Sequence, residues 1–175
     1  MPSAVKPGTT AAVLGLALGL AWLLSACSDS GPTNLYSQGL FGVTQPGAHL
    51  EVWRVQQDSL GAGSDGLVVY LKNTGQGGTA GPVRAMLSTT DTCATLNNYG
   101  AAAPTALFAA QGQVIAPGDV LRGQAVNQAG ALQNQYSYVV SYNLASCSGT
   151  AIPFTVSVVD PYGGSWNSGF SALAQ

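Results

Sequence analysis

The chain has 175 residues, of which 7% are charged, whereas an ordinary soluble domain carries about 25%. The net charge of -2, with five Lys and Arg residues, excludes the phosphate neutralisation on which non-specific nucleic-acid binding depends. A single histidine excludes catalytic or metal sites built from several histidines. The hydrophobic fraction of 46% is sufficient for a core, and the 23 Gly and 9 Pro indicate a chain rich in turns.

The amino terminus has the pattern of an export signal. A positive charge at Lys6 precedes an apolar run at 11–24. This run is shorter than the roughly 20 residues that span a bilayer, but it has the length of a signal-peptide core. We therefore expect the mature protein to function outside the cytoplasm.

The residues that end this run, Leu24-Ser25-Ala26-Cys27, resemble the lipobox of bacterial lipoproteins. The resemblance implies a signal peptide of residues 1–26, cleavage before Cys27 and a lipid on the Cys27 thiol. Two or three acyl chains hold a protein stably on a membrane, whereas one chain does not. The alternative is an ordinary signal peptide cut after Ala26, which leaves Cys27 as a free thiol.

The lipobox resemblance also implies a location in the bacterial cell envelope. In enteric bacteria an Asp directly after the lipidated cysteine retains a lipoprotein in the inner membrane, and this chain has Ser28 there, which favours the outer membrane. The segment 27–48 contains Ser, Gly and Pro residues, and we expect a lipidated tether with a reach of roughly 25 Å. The remaining residues, 49–175, are predicted to form one domain.

Two cysteines remain after Cys27, and pairing is the simplest expectation in an oxidising compartment. A bond between Cys93 and Cys147 would close a loop for which chain entropy contributes about 4 kcal/mol. A metal site is the alternative, but neither cysteine has a Cys or His at ligand spacing, and His49 is remote in sequence. We expect a Cys93–Cys147 disulfide, no metal and no cofactor.

Apolar residues in 49–175 alternate with a period of two, and turn residues interrupt the alternation repeatedly. This pattern predicts an antiparallel all-β domain, and seven to nine short strands are typical of an immunoglobulin-like β-sandwich. In the first strand, Trp53 and Val55 are expected to share a face. The predicted strands are 50–55, 67–72, 83–88, 105–115, 120–128, 136–142, 154–159 and 165–173.

Several stretches resemble bacterial CARDB-type and related immunoglobulin-like accessory modules. The residues that carry the resemblance are LVVYLKNTG at 67–75, VRAMLST at 83–89, IAPG at 115–118 and PFTVSVVD at 153–160, followed by Gly164, Ser165, Trp166 and Phe170. The resemblance covers residues 50–173 and implies a sandwich that is itself non-catalytic. The chain contains the two cysteines, and we expect it to stand alone on a lipid anchor, which are two departures from these modules.

Few residues have the types and spacing that catalysis requires. His49 is the only histidine available as a base, and the chain contains no Gly-x-Ser-x-Gly nucleophile elbow. The acidic residues lie mostly in turns, where Asp bonds the backbone. A carboxylate pair for glycoside hydrolysis and a calcium site beside the loop between Asp58 and Asp65 are alternatives. We predict no catalytic residues, and a hydrolase with an unrecognised site remains an alternative.

The candidate binding residues are aromatic. Tyr136, Tyr138 and Tyr142 share one face of a predicted strand, and Trp166 lies on another strand. Exposed rings would stack on sugars or anchor an interface, whereas inside a sandwich they would belong to the core. The predicted function is a non-catalytic structural or protein-interaction lipoprotein, with an envelope or surface protein as its partner. The alternative is a lipoprotein that binds a cell-wall or extracellular glycan.

Overall fold

The structure is a computed structural model, and it describes residues 47–175. The predicted signal peptide, the lipobox with Cys27 and nearly all of the tether lie outside the described residues. Among the described residues, no helix has the length and apolar composition needed to cross a membrane. The strands, in chain order, are β1 (Leu50–Gly61), β2 (Ser64–Asn73), β3 (Thr79–Ala80), β4 (Val83–Ser88), β5 (Ala94–Leu96), β6 (Thr105–Ala109), β7 (Val114–Ile115), β8 (Val120–Arg122), β9 (Gln124–Val126), β10 (Tyr138–Tyr142), β11 (Ala151–Val159) and β12 (Ser165–Leu173), and the one helix in 47–175 is α1 (Leu144–Cys147).

The strands form two five-stranded sheets and one small two-stranded sheet. The first sheet has the order β1-β2-β10-β5, with β8 also paired to β2. The second sheet has the order β12-β11-β4-β6-β9, and β3 pairs with β7. Every pairing is antiparallel, so the predicted all-β sandwich is confirmed.

The strand order has an immunoglobulin-like core. Strands β1-β2-β10 stand in the order A-B-E, and β12-β11-β4 stand in the order G-F-C. Strands β6 and β9 extend the second sheet as C′ and C″ do in variable-type domains. Strand β5 lies beside β10 in the place of strand D, but it precedes β6 in the chain, whereas strand D follows C″.

Twelve strands replace the predicted seven to nine because five of them have only two or three residues. A strand of two or three residues is too short for its apolar and polar side chains to form a recognisable alternating pattern in the sequence. The predicted run 120–128, for instance, is divided at Gly123 between β8 in the first sheet and β9 in the second. A side-chain carbon at residue 123 would lie 2.5 Å from the Phe108 ring. Glycine, which has no side chain, therefore occupies the position at which the chain passes from the first sheet to the second.

Alternation sorts the side chains of the long strands between core and surface, as predicted. In β4, Val83, Ala85 and Leu87 are buried, and the residues between them are exposed. Phe154 in β11 stacks on Phe170 in β12 with ring centroids 5.3 Å apart. Burial of one such large apolar side chain contributes about 1.5–3 kcal/mol. The core also contains Leu50, Leu67, Val69, Leu71, Val140, Ile152, Val156 and Val158.

Strand β1 departs from the predicted alternation at Trp53. Val52 pairs with Leu71 and Arg54 pairs with Tyr70, so Trp53 is the extra residue of a β-bulge. Val52 and Val55 both pack against the core, while Trp53 is 53% exposed. The prediction that Trp53 and Val55 share a face is therefore wrong, because the bulge inserts one residue between them.

Side chains connect the two sheets where β1 runs beside β12. The Val52 N–H donates a hydrogen bond to Ser168 Oγ at 3.0 Å. The Gln57 side chain donates a hydrogen bond to the Leu173 carbonyl and accepts one from the Leu173 N–H. The backbone of a neighbouring strand would make the same pair of bonds. These bonds cover part of the free edge of β12, which limits pairing of that edge with other chains.

Cys93 and Cys147 are joined in a disulfide, with their Cα atoms 5.9 Å apart. Cys93 precedes edge strand β5, and Cys147 ends α1 in the connection from β10 to β11. The Cys93 carbonyl also accepts a hydrogen bond from the Asn143 N–H at 2.9 Å. The disulfide thus ties the three-residue edge strand to the chain as it crosses between the sheets.

Reduction of this disulfide should lower the melting temperature, because it releases a loop whose ends are 54 positions apart in sequence. Loop-closure entropy of about 4 kcal/mol corresponds to a fall of about 15 °C for a domain of this size. Thermal unfolding with and without reductant measures it. The variant Cys93→Ser/Cys147→Ser should have the lower melting temperature, and reductant should not change it. The melting temperature of Cys27→Ser should fall with reductant as that of the parent does. An unchanged melting temperature would contradict the structural role.

Candidate functional site

The tyrosines of β10 point into the core. Tyr138 is 1% exposed and Tyr142 is 7% exposed. The Tyr138 hydroxyl donates a hydrogen bond to the Ala85 carbonyl of β4 at 3.0 Å, and this bond crosses from the first sheet to the second. Burial raises the pKa of Tyr138 far above its ordinary value. Neither ring offers a surface on which a ligand could stack.

Tyr142 lies near a buried carboxyl group, that of Asp65, which is 0% exposed. Burial, and to a smaller extent the negative charge of Asp65, raise the pKa of Tyr142 to about 12. The Tyr142 hydroxyl and Asp65 Oδ1 make no hydrogen bond in the described chain. Asp65 Oδ2 accepts a hydrogen bond from the Gln57 side-chain amide. At neutral pH the Tyr142 hydroxyl therefore keeps its proton and has no hydrogen-bonded base.

Tyr136 lies over the first sheet, whereas Trp166 belongs to the second. Tyr136 precedes β10, and its ring lies so close over Gly66 of β2 that an added side-chain carbon there would be 2.5 Å from it. Trp166 in β12 packs against the core, and its indole N–H donates to the Ala48 carbonyl at 3.1 Å. Both side chains are half-buried. The four predicted binding residues do not form one exposed row.

The described carboxylates are mostly engaged in local hydrogen bonds, as their turn sequences predict. Asp91 accepts from the Cys93 N–H, and Asp119 accepts from the Ala116 N–H, both at 2.8 Å. Asp160 accepts from the N–H groups of Tyr162 and Gly164. Between residues 47 and 175, no three His, Cys, Asp or Glu side chains gather as metal ligands. The loop between Asp58 and Asp65 therefore does not bring together a calcium site from these side chains.

The outer face of the second sheet is a surface that the sequence of no single strand reveals. Its five strands contain one charged residue, Arg84. Three large apolar side chains on this face are exposed, namely Met86, Val159 and Leu173. Between them the strands present small polar side chains such as those of Thr155 and Asn167. Apart from Arg84, the five strands place no charged side chain on this surface, and we refer to it as the uncharged face.

The outer face of the first sheet has different chemistry. Of the four Lys and Arg residues in 47–175, three lie on this face, and they are Arg54, Lys72 and Arg122. Trp53 is exposed beside two of them. We refer to Trp53, Arg54, Tyr70, Lys72 and Arg122 as the cationic face.

Comparisons with known proteins give a distant structural similarity and no sequence family. No family model matches the chain, and no curated protein matches it. Among solved structures, the chain is similar to the archaellum periplasmic stator protein FlaG from Sulfolobus acidocaldarius, with 12% identity and a TM-score of 0.33. The similarity covers 71% of this chain and 99% of that chain. A TM-score this low bears on neither fold nor function.

The two buried tyrosine hydroxyls should differ in their contribution to stability. Tyr138→Phe removes the hydrogen bond to Ala85, and we expect the free energy of unfolding to fall by about 1 kcal/mol. Tyr142→Phe is the matched control because it removes a hydroxyl without a hydrogen bond, so stability should be unchanged or slightly higher. Urea unfolding at neutral pH compares them. Equal losses in both variants would refute the difference.

Proposed function

We propose that the protein is a non-catalytic cell-envelope lipoprotein that acts as a structural or protein-interaction module in a surface or outer-membrane assembly. The observation that carries the proposal is the uncharged face. A partner protein with a similarly uncharged surface is the occupant that this face fits.

The chemistry of the uncharged face suits a lasting contact with another protein. Burial of a charged side chain in an interface costs free energy unless it is paired, whereas hydroxyl and aliphatic side chains are buried at lower cost. The cores of interfaces are accordingly poor in charged residues, and Met86 is of a type enriched there. Methionine also adapts its shape to different partner surfaces.

The non-catalytic part of the proposal is supported by the state of the titratable groups. His49 is exposed, with its Nε2 atom 3.5 Å from a Glu51 carboxylate oxygen. Tyr142 is protonated at neutral pH because its pKa is about 12. Catalysis by proton transfer needs a group whose pKa lies near the working pH, and the pKa of Tyr142 lies far above neutral pH.

The lipid-anchored part of the proposal is supported by the sequence at 11–27. The apolar run ends at a lipobox-like Leu24-Ser25-Ala26-Cys27, and Ser28 favours the outer membrane. A diacylated or triacylated Cys27 would hold the chain on the membrane. The tether 27–48 would allow the domain to reach a partner away from the bilayer.

Replacement of the lipidated residue tests the anchor. In Cys27→Ser, the thiol that accepts the lipid is lost, and we expect nearly all of the protein to leave the membrane fraction. Carbonate-washed membranes and radiolabelled palmitate measure this in the native host, and Ser28→Ala serves as the control that keeps its label. Palmitate-free Cys27→Ser protein that stays in washed membranes would refute a Cys27 anchor.

A charge placed on the uncharged face tests the interaction. The protein is cross-linked in its own membranes, purified in mild detergent and analysed for stoichiometric partners by mass spectrometry. In Met86→Glu, we expect recovery of the partner to fall about tenfold, because the new carboxylate would lose its hydration on burial, at a cost that the neighbouring Arg84 on β4 offsets only in part. Leu60→Glu is the matched control, since Leu60 is 45% exposed and Met86 is 48% exposed, but Leu60 lies in the β1–β2 hairpin.

Three results would overturn the proposal. They are recovery of the protein without any partner, recovery only of a second copy of the chain, and equal loss of the partner from both variants. Melting temperatures within a few degrees of the parent would show that each variant is folded.

A further inference from the structure

We propose that the cationic face binds an acidic polysaccharide, with Trp53 stacked on a sugar ring and Arg54, Lys72 and Arg122 bound to its carboxylates. This activity lies beyond the proposed protein contact. It uses the outer face of the other sheet, so either proposal can fail without the other.

Register brings the cationic face together from three strands. Tyr70 in β2 pairs with Arg54 in β1 on one side and with Arg122 in β8 on the other. Adjacent strands are about 4.8 Å apart, so the two arginines extend from positions about 10 Å apart. Lys72 lies two residues further along β2 than Tyr70, so its side chain points to the same side of the sheet. The three cations therefore surround one aromatic residue.

The bulge adds the exposed indole to this row. The Arg54 guanidinium lies 4.3 Å from the centroid of the Tyr70 ring and 5.8 Å from that of Trp53. The Lys72 ammonium lies 6.0 Å from the Trp53 ring. Because Tyr70 is held under Arg54, Trp53 is the ring with the larger free surface. Its indole can stack on the apolar face of a sugar while the neighbouring cations reach the substituents.

The positive charge of this face is not neutralised by the nearby acids. Within 47–175, no carboxylate oxygen lies within 4 Å of the cationic atoms of Arg54, Lys72 or Arg122. Glu51 pairs in register with Lys72, but its carboxylate contacts His49. Asp58, further along β1, accepts hydrogen bonds from the Gln56 side chain. Three cations against the two acids Glu51 and Asp58 leave the outer face of the first sheet with a net charge of +1, whereas the whole chain has a net charge of -2.

An acidic glycan fits this combination better than an acidic protein does. Guanidinium groups bind carboxylates of either origin. The bulge in β1 exposes the Trp53 ring beside these groups and so adds a stacking surface. A sugar ring stacks on such a surface, whereas a flexible acidic peptide does not require it. The cations beside the ring would then select sugars with carboxylates over neutral sugars.

The test titrates the full-length protein, purified in mild detergent, with polygalacturonate at about 150 mM salt, where long-range attraction is screened. We expect saturable binding by calorimetry, much weaker binding of fully methyl-esterified polygalacturonate, and much weaker binding of polyglutamate of equal charge. Trp53→Ala and Arg54→Gln/Arg122→Gln should each weaken polygalacturonate binding about tenfold or more.

Two matched controls keep the result specific. Arg84→Gln removes the fourth described cation, which lies on the uncharged face, and Leu132→Ala truncates a side chain that is 53% exposed, as Trp53 is. Both should change the affinity less than about twofold. Lack of binding to polygalacturonate, equal binding of polyglutamate, full binding by Trp53→Ala, or an equal loss in Arg84→Gln would each overturn the proposal.

Discussion

Burial of the aliphatic residues of β2, β4 and β11 between the two sheets is the interaction on which the rest of the structure depends. Side chains in a strand alternate between its two sides. When Val83, Ala85 and Leu87 face the core, Arg84 and Met86 must face outward. The chemistry of both outer faces is therefore decided by the same packing that holds the sheets together.

The bulge in β1 shows how one irregular residue changes the surface without a loss to the core. Without it, strict alternation would place Val52 and Val55 on opposite sides of the strand. The extra residue lets both valines pack against the core and leaves Trp53 outside. Bulges commonly redirect a side chain in this way. The exposed indole is thus a result of backbone geometry that apolar alternation alone does not reveal.

Much of the fold could be predicted from the sequence because the long strands follow the period-two rule. The bounds of β12 match the predicted 165–173, and the buried side of β4 is the predicted one. Strand β11 begins at Ala151, before the predicted 154, because Pro153 lies beyond the stretch that pairs with β4 and needs no donor on that side. Alternation also predicts that Tyr138 and Tyr142 share one face of β10, but it does not show which face of the strand is turned toward the core.

The candidate surfaces were harder to predict because they depend on pairings between distant segments. Arg122 lies 52 positions after Tyr70 in the chain, and only the β2–β8 register places the two side by side. The three-residue strand β8 has too little pattern to reveal that pairing. The uncharged face has the same origin, since β4 and β11 come together across more than sixty positions. Composition showed that charges are few, but not that the fold separates them.

This separation has a physical consequence for binding. The two faces point away from each other across a core about 10 Å thick. Three of the four described cations lie on one face, and the strands of the other sheet contain a single charged residue, Arg84. A partner on the uncharged face therefore neither covers the cationic residues nor brings counter-charges close to them. The domain can hold a protein on one side while it presents a cationic, aromatic surface on the other.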